Sequence, residues 1–315
     1  MVVRKIKYSV VIPHREDFAR LCRLLDSIPL SRMDLECLVV DDSSDNQGHL
    51  LELMPRYPGV VWGSTISPSG AGSARNVGLA MANGQFVIFA DSDDEFISGA
   101  FDIFDRSIES KDELVYFLLE GVCEGDSHGS ARASRLNDLC LNYYANPTPR
   151  NLGLLQIGHV NPFGKVYSKS FIDKQGLSFE ETMVSNDVVF NVLGAIRASQ
   201  IRVVPAPVYR VFRRSGSLTV TRDSEAYIER VRVWVRMAEL MHIEGVRVRR
   251  SGLGFVVRAM SYGPKVALRV VGLVWHSGLS WSPWGIKGGS LIWWVKDGLE
   301  KRRARVGKSG GSGEA

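Results

Sequence analysis

Short apolar runs without a polar break recur along the first half of the chain, and polar residues follow most of them. Strands covered on both faces show such continuous runs, whereas half-exposed strands alternate apolar and polar positions. The pattern therefore predicts buried strands at residues 8–12, 36–40, 60–66, 86–90 and 114–123.

Segments with apolar residues at helical spacing separate these runs. They predict helices over residues 17–28, through 49–54 and through 73–82, and Asn83-Gly84 is a stop signal for the last of them. Pro13 is expected to end the first strand. Strands that alternate with helices over short connections are typical of a doubly wound α/β sheet.

The pattern is less regular after residue 123. Residues 124–150 are polar and predict an irregular segment, and residues 159–168 predict a turn-rich loop that lines a pocket. For the helix that ends at Ala198, Ser185 or Asn186 is the predicted N-cap, with Asp187 in the first turn. The remaining predicted elements are a short helix at 168–176, strands at 201–204 and 208–212, and an amphipathic helix at 225–241.

Polar residues directly follow three of the predicted strands. Ligands of open α/β sheets bind outside the carboxyl ends of the strands, so these residues are expected to form one site. They are His14, Arg15 and Glu16 after the first strand, Asp41 and Asp42 after the second, and Asp91, Ser92 and Asp93 after the fourth.

Asp91 and Asp93 stand two residues apart where the chain leaves its strand. Carboxylates at this spacing can converge on one hard cation, for which Mg²⁺ or Mn²⁺ is suited. The alternative interpretation is an acidic turn that caps the next helix, and Asp94 is expected to have only that capping role.

A glycine-bearing loop at residues 67–72 opens the third predicted helix, with Arg75 in its first turns. Such a loop can hold an anion through backbone N–H groups and the helix dipole, and a plain helix start is the alternative. A dinucleotide-binding fingerprint is not predicted. The third glycine is missing after Gly70 and Gly72, and the loop does not follow the first strand.

Charge is distributed unevenly along the chain. Residues 1–150 carry 14 Lys+Arg against 22 Asp+Glu, and residues 151–315 carry 25 against 12. Five tryptophans lie in residues 253–295 and a basic run follows at 301–305, a combination typical of an interfacial membrane segment. An ordinary packed helical appendage is the alternative. No aromatic-studded basic motif is present, so a nucleic-acid partner is not expected.

Cysteine spacing and the length of the apolar runs predict a cytoplasmic protein. The four cysteines form no CxxC pair and lie in or beside apolar segments, which is typical of reduced core thiols. The apolar segment behind the basic first residues is too short for a signal peptide. No apolar run reaches the about 18 residues of a membrane-spanning helix, so none is expected.

Seven segments, in their order along the chain, resemble the family 2 glycosyltransferases, which are inverting enzymes of the GT-A fold that use nucleotide-diphospho sugars. The resemblance covers roughly residues 8–220 and implies a GT-A domain with a mixed, doubly wound sheet, followed by a helical, Trp-rich, basic appendage. The segments are SVVIP (9–13), VVDDSSDN (39–46), GSARNVGL (72–79), ANGQFVIFADSDD (82–94), KVYSKSFI (165–172), FEETMVSND (179–187) and YRVFRRSGSLT (209–219).

The resemblance implies roles for individual residues on the donor side. Asp42 matches the aspartate that hydrogen-bonds the nucleotide base, and Pro13 matches the turn beneath that base. Arg75 matches an arginine near the base and the diphosphate. Asp91 and Asp93 match the DxD pair that holds a divalent metal, Mn²⁺ or Mg²⁺, with Asp93 as the direct ligand.

The resemblance also implies a catalytic base and part of the diphosphate site. Asp187 matches the second residue of the family's Glu-Asp pair, which serves as the base. Ser217 and Thr219 match a region that borders the diphosphate.

Two departures from the family pattern bear on the site. The family commonly has Thr-Tyr-Asn after the first proline, where this chain has His14, Arg15 and Glu16. We expect His14 and Arg15 to contact the donor. Asn186 replaces the glutamate before Asp187, and the loss of a like charge is expected to lower the pKa of Asp187.

The implied organisation has three parts. Residues 1–220 form the GT-A catalytic domain, with the nucleotide-sugar-binding part at about 1–123 and the acceptor side at about 124–220. Residues 221–306 form a helical region that contacts an anionic membrane surface, and residues 307–315 form a flexible tail. The predicted location is the cytoplasm, peripheral on the inner face of the cytoplasmic membrane.

The implied function is inverting transfer of a hexosyl or N-acetylhexosaminyl group, with a UDP-sugar as the expected donor. The acceptor is a glycan or a lipid-linked molecule in the biosynthesis of surface polysaccharide, lipopolysaccharide or a related glycan. A nucleotidyltransferase is one alternative, but residues 13–17 lack the Gly-rich, basic loop that normally follows its first strand. A non-catalytic nucleotide-sugar-binding protein is the other, and the presence of Asp91, Asp93 and Asp187 favours an enzyme over it.

Overall fold

The computed structural model describes residues 5–123, 131–213, 223–246 and 252–275, together with positions 277, 279 and 281. The chain divides into two compact units. The first comprises Met1–Asn146 with Gln156–Thr221, and the second comprises Pro147–Leu155 with Arg222–Ala315.

Strands and helices are interspersed along the chain up to residue 213, after which the described elements are helices. In chain order they are β1 (Tyr8–His14), α1 (Phe18–Asp26), β2 (Leu35–Asp41), α2 (Gln47–Leu53) with a 3-10 turn (Met54–Arg56), β3 (Val60–Ser64), α3 (Ala71–Met81), β4 (Phe86–Phe89), β5 (Glu95–Phe96), α4 (Ala100–Ser107), β6 (Leu114–Cys123), α5 (Ala131–Ala145), α6 (Pro149–Gly158), β7 (Lys165–Ser168), α7 (Lys169–Gln175), α8 (Val188–Arg197), β8 (Ile201–Arg213), α9 (Ser224–Ile243), α10 (Gly252–Met260) and α11 (Pro264–Trp275).

Among the described residues, eight strands form one sheet in the order β3-β2-β1-β4-β7-β6-β8-β5. β3, β2, β1 and β4 are parallel neighbours, so their carboxyl ends lie at the same edge. β7 is antiparallel to both β4 and β6, while β8 is parallel to β6 and antiparallel to β5. The predicted mixed, doubly wound α/β sheet is therefore confirmed.

The central strands are buried on both faces, which explains their unbroken apolar runs. One set of alternating residues, such as Val10 and Ile88, belongs to a large apolar cluster that includes the aromatic side chains of α4. Phe89 belongs to the other set, and its ring centroid lies 4.9 Å from that of Phe179 and 5.4 Å from that of Phe190.

β1 continues through Pro13 to His14, so the prediction that Pro13 ends the strand is wrong. In a parallel strand, successive residues direct their backbone groups to opposite neighbours. The carbonyl of His14 accepts from Asp42 N on the β2 side, and that of Val11 accepts from Ala90 N on the β4 side. Pro13 faces β4 as Val11 does, and pairing with β4 ends at Val11, so its missing N–H leaves no ladder bond unmade.

The chain between β6 and α7 is more regular than predicted. Part of the segment predicted as irregular forms α5, whose buried residues Ala133, Leu136 and Cys140 are spaced as in a helix but are too few to dominate the pattern. The end of the predicted turn-rich loop forms β7 at the centre of the sheet. The strand was not predicted because its first residue is Lys165, and buried lysines are rare.

The two strands predicted at 201–204 and 208–212 are one strand, β8. Its pairing with β6 shifts around Leu118, where Pro207 lies opposite. A local irregularity accommodates the proline within a strand that otherwise continues.

The second unit has an apolar core of its own, built from α9, α10 and α11. Its buried residues include Tyr227, Val231, Phe255 and Val274, and the Tyr227 hydroxyl donates to the carbonyl of Phe255 at 2.7 Å. Among the described residues, no helix combines the length and the apolar character that spanning a membrane requires.

Candidate active site

The polar residues predicted to form one site lie where β1, β2 and β4 end at a shared sheet edge. The loop after β3 and the segment before α8 reach the same place. Three residues other than glycine adopt a left-handed backbone there, at φ 64° for Glu16, 53° for Ser43 and 59° for Ser185. Strained conformations of this kind persist where surrounding contacts impose them, and they cluster at functional sites.

Asp42 is buried and anchors the loop after β3. Its carboxylate accepts from the Thr65 hydroxyl at 3.1 Å and from the backbone N–H groups of Ser69 at 3.0 Å and Gly70 at 2.8 Å. These bonds fix the approach to α3. Asp42, to which the resemblance assigns contact with a nucleotide base, therefore also shapes the loop that leads into α3.

Asp41 lies at the site, as the sequence predicts. Its buried carboxylate accepts from Ser44 N at 2.9 Å and from the Ser44 hydroxyl at 2.5 Å. The Ser44 oxygen accepts in turn from Glu16 N at 2.9 Å, and the Glu16 carboxylate accepts from Asp45 N. This chain of hydrogen bonds ties the loop after β1 to the loop after β2.

His14 and Arg15 differ in exposure although they are adjacent. His14 is buried with its ring 4.9 Å from that of Phe18, and both its ring nitrogens lack a hydrogen-bond partner among the described residues. Burial lowers the pKa of His14, against the opposing effect of nearby carboxylates led by Asp41. Arg15 is exposed and Pro13 is buried in β1.

Arg75 on α3 joins two parts of the site. Its guanidinium donates to Asp91 Oδ1 at 2.5 Å and to Asn186 Oδ1 at 3.0 Å, and it lies over the Phe179 ring at 5.3 Å. Gly72, one turn earlier, permits this contact, because a Cβ there would collide with the carbonyl oxygen of Glu180 and lie 2.8 Å from Asn186 Cβ.

Asp91, Asp93 and Asp94 can each place one carboxylate oxygen within 4.8 Å of the others. Burial, and after it the charge of Asp91, raises the pKa of Asp93, and burial with both neighbouring charges raises the pKa of Asp94 well above its usual value. A divalent cation would relieve this repulsion, and three carboxylates are a donor set that fits Mg²⁺ or Mn²⁺.

Asp94 does not cap a helix, so its predicted role is wrong. α4 begins after Gly99, and Asp94 Oδ1 instead accepts from Phe212 N on β8 at 2.9 Å. The adjacent Asp91 backbone is held by β8 as well, since the Tyr209 hydroxyl accepts from Asp91 N at 2.8 Å and donates to Asp91 O at 3.3 Å. Tyr209 was not predicted to take part in the site.

Asp187 is the N-cap residue of α8, not a first-turn residue as predicted, and its side chain makes no capping hydrogen bond. The half-buried carboxylate is therefore available to a substrate. Burial raises its pKa, Arg75 and Arg132 oppose this effect, and Asp91 adds to it. The pKa of Asp187 is therefore raised, because the effect of burial is the largest. This holds although Asn186 is neutral where the family has a glutamate.

The structure thus brings Arg75, Asp91 and the segment before Asp187 into direct contact at one edge of the sheet. Asp42 and His14 lie at the neighbouring strand ends, joined by the bond from Asp42 N to His14 O at 2.8 Å. Ser217 and Thr219 lie outside the described residues.

The sequence profile described as "Glycosyl transferase family 2" matches residues 9–176. The chain belongs to this family, so the predicted membership is confirmed and the nucleotidyltransferase alternative is set aside. The chain is also 26% identical over 231 residues to the poly(ribitol-phosphate) beta-N-acetylglucosaminyltransferase TarP of Staphylococcus aureus (strain N315), a match that covers 69% of this chain and 67% of TarP.

Two solved structures share the fold. TarS 1–349 of S. aureus in complex with UDP-GlcNAc has a TM-score of 0.55 at 20% identity, covering 74% of this chain and 66% of that one. The mannosyltransferase PcManGT of Pyrobaculum calidifontis, in complex with GDP-Man and Mn²⁺, has a TM-score of 0.52 at 13% identity, covering 99% of this chain and 77% of that one. The GT-A fold is therefore confirmed, and the chain spans about two thirds of the length of TarP and of this TarS chain.

Proposed function

We propose that the protein transfers a sugar, with inversion, from a UDP-sugar to a hydroxyl group of a surface-glycan acceptor. The observation that carries this proposal is the position of Arg75 between Asp91 and Asn186. Arg75 holds Asp91, one of the predicted metal ligands, beside the segment that leads to the predicted base, Asp187. A donor diphosphate held near Asp91 through a divalent cation would then present its sugar towards Asp187.

The donor is bound at the ends of β1 and β2 and along the start of α3. Asp42 and the loop it anchors form the base pocket, and His14 is buried at the neighbouring strand end. Arg75 supplies positive charge to the diphosphate. Asp91 and Asp93 would hold Mn²⁺ or Mg²⁺, and a cation there would stabilise negative charge on the departing diphosphate.

The chemical step is a single displacement. The acceptor oxygen forms a bond to the anomeric carbon while the bond from that carbon to the β-phosphate oxygen breaks, and the electron pair leaves with UDP. Asp187 accepts the acceptor's hydroxyl proton as general base. Attack from the face opposite the leaving group inverts the anomeric configuration.

UDP-GlcNAc is the first donor to test, because TarP is named for N-acetylglucosamine transfer and the TarS structure contains UDP-GlcNAc. The test is a thermal-stability screen of nucleotide sugars in the presence of Mn²⁺ or Mg²⁺. A donor at 100 times its dissociation constant adds roughly 2.7 kcal/mol to the free energy of unfolding. Stabilisation by no nucleotide sugar would contradict the proposal, and binding without turnover would support the non-catalytic alternative.

The acceptor side favours an anionic acceptor such as a polyol-phosphate or a lipid-linked phosphate. Arg132 on α5 is exposed, lies over the Phe163 ring at 5.3 Å, and lowers the pKa of Asp187, which places its charge near the proposed base. Arg132→Ala is expected to raise the KM for a phosphate-bearing acceptor and to leave the KM for the donor unchanged. Arg135→Ala, on the same helix, is the matched control, and equal acceptor KM values in the two variants would reject the assignment.

We infer further that the second unit contacts an anionic membrane surface, on the inner face of the cytoplasmic membrane. Val257, Met260, Leu268 and Trp275 on α10 and α11 are exposed, and residues 246–315 carry thirteen Lys+Arg against three Asp+Glu. Exposed apolar side chains in a segment of basic composition suit an interface with anionic lipid.

Flotation with anionic liposomes tests the membrane contact. Leu268→Ser with Trp275→Ser is expected to reduce binding, while Ile243→Ser, which removes an exposed apolar side chain from α9, is the control. Undiminished binding by the double variant would show that this face does not contact lipid.

A further inference from the structure

A lysine is buried beneath the active site. Lys165, the first residue of β7, is 1% exposed and lies opposite Tyr116 on β6. Because β7 is antiparallel to β4, with Val166 opposite Ile88, Lys165 lies at the sheet edge where β4 ends. Among the described residues, no carboxylate forms an ion pair with Lys165.

The amine of Lys165 has a partner in each of three directions. It donates to the carbonyl oxygen of His159 at 2.6 Å and to Asn191 Oδ1 at 2.8 Å, and it lies 4.9 Å from the centroid of the Tyr116 ring. Burial lowers its pKa to about 7. The neutral amine keeps two N–H donors, enough for both oxygen acceptors, so these contacts hold in either protonation state.

Asn191 on α8 connects Lys165 to Asp187. Its Oδ1 accepts from both Lys165 and the Tyr167 hydroxyl, the latter at 2.7 Å. These two donors orient the amide, because only its oxygen can accept from them. Its Nδ2 must then face the opposite way, where it donates to the carbonyl oxygen of Asp187 at 2.8 Å.

The bond from Asn191 Nδ2 holds the main-chain carbonyl of Asp187 and does not involve its carboxylate. The carboxylate of an N-cap residue usually folds back onto the helix N-terminus, but that of Asp187 makes no such bond. Asn191 N also donates to Asp187 O, at 3.1 Å, as the first helical bond. The main-chain oxygen is thus fixed from inside the protein while the carboxylate remains free to face the substrate.

We propose that Lys165, acting through Asn191, is a positioning residue for the reaction: it fixes the main chain of Asp187 so that the carboxylate meets the acceptor hydroxyl. Lys165 touches neither donor nor acceptor in this role. The inference rests on the proposed function of Asp187 as general base. A misplaced base reduces the rate of proton transfer and leaves donor binding intact.

Asn191→Asp tests the connection to Asp187 separately from the rest of the cluster. It keeps oxygen acceptors for Lys165 and Tyr167 but removes the Nδ2 donor to Asp187. We expect kcat to fall about 100-fold, while the KM for the donor and the Kd for UDP change less than about twofold. Gln156→Glu, which removes an amide donor to the carbonyl of Ala195 near the other end of α8, is the control and is expected to keep kcat within about twofold.

Lys165→Met is the second variant, with a side chain of similar length and no donor. It is expected to lower kcat to a similar degree and to leave the KM for the donor within about twofold, because it misplaces the base without touching the donor. A wild-type kcat in Asn191→Asp, with Asp187→Asn inactive, would overturn the positioning role and leave the proposed function standing. Full activity of Asp187→Asn would overturn both.

Discussion

Arg75 Nη2 and Asp91 Oδ1 are 2.5 Å apart, and the other terminal nitrogen of the same guanidinium donates to Asn186 at 3.0 Å. A planar guanidinium can bridge two acceptors in fixed directions, whereas an ammonium acts as a single point of charge. Arg75 therefore sets the spacing between the end of β4 and the segment before α8.

Arg75→Lys is expected to weaken donor binding although the charge is kept. A lysine cannot bridge both acceptors, so the binding of UDP must order this part of the site. Ordering two side chains costs about 2 kcal/mol, which corresponds to a roughly 30-fold rise in the Kd for UDP. Calorimetric titration measures this change. Arg106→Lys, at an exposed position on α4, is the control, and an unchanged Kd in Arg75→Lys would mean that the bridge has no part in donor binding.

Asp93→Asn is expected to abolish the metal-dependent part of donor binding. Asp93 is one of three carboxylates whose oxygens converge, and a neutral amide binds a hard cation more weakly. The measurement compares the Tm with UDP in the presence of Mn²⁺ and in its absence. Asp102→Asn, an exposed carboxylate on α4, should retain the full metal-dependent shift. If Asp93→Asn retained it too, the metal site would have to lie elsewhere.

The pH profile of the wild-type enzyme should reflect the raised pKa of Asp187. A general base works when deprotonated, so kcat is expected to fall as the pH drops through this pKa, at a higher pH than for an ordinary aspartate. A kcat that stays constant down to the usual carboxyl range would contradict the assignment.

The stability consequence has a definite sign. Because the folded protein raises the pKa of Asp187, folding disfavours its ionised form above that pKa. Asp187→Asn should therefore raise the Tm near neutral pH, and the difference should shrink as the pH falls through the raised pKa. If instead the Tm of Asp187→Asn lay below that of the wild type near neutral pH and approached it in acid, folding would stabilise the ionised carboxylate.

Gly72→Ala is expected to damage both stability and activity. The added methyl group would collide with Glu180 O and lie 2.8 Å from Asn186 Cβ, so the segment that leads to Asp187 must move. Overpacking of this kind costs about 1–3 kcal/mol in the free energy of unfolding. Gly272→Ala in α11, where a Cβ would meet nothing within 4 Å, is the control and should stabilise the helix by about 0.5–1 kcal/mol. Chemical denaturation of both variants measures the contrast.

The parts of the fold that could be predicted are those whose cause is local. β1, β2 and β4 are continuous apolar runs that end in polar residues, so both the strands and the shared sheet edge follow from pattern. β7 could not be predicted this way. A buried lysine needs a hydrogen-bond partner, and the partner of Lys165 is Asn191, 26 residues later in the sequence.

The same division applies to the site. Asp42, Asp91, Asp93 and Asp187 are proposed as site residues because each lies in a segment that resembles a family motif. Tyr209 was missed because nothing near it in sequence reveals its partner, Asp91, which lies 118 residues away. The Tyr209 hydroxyl reaches the Asp91 backbone only because β8 lies beside β5 in the folded sheet.

Transfer of N-acetylglucosamine from UDP-GlcNAc to a polyol-phosphate acceptor, followed by NMR of the anomeric proton, tests the central claim most directly. The wild type is expected to form the inverted β-linkage, and Asp187→Asn is expected to form no product at saturating donor while binding UDP with unchanged affinity. Product with the donor's own anomeric configuration, or undiminished turnover in Asp187→Asn, would contradict the claim that Asp187 is the base of an inverting transfer.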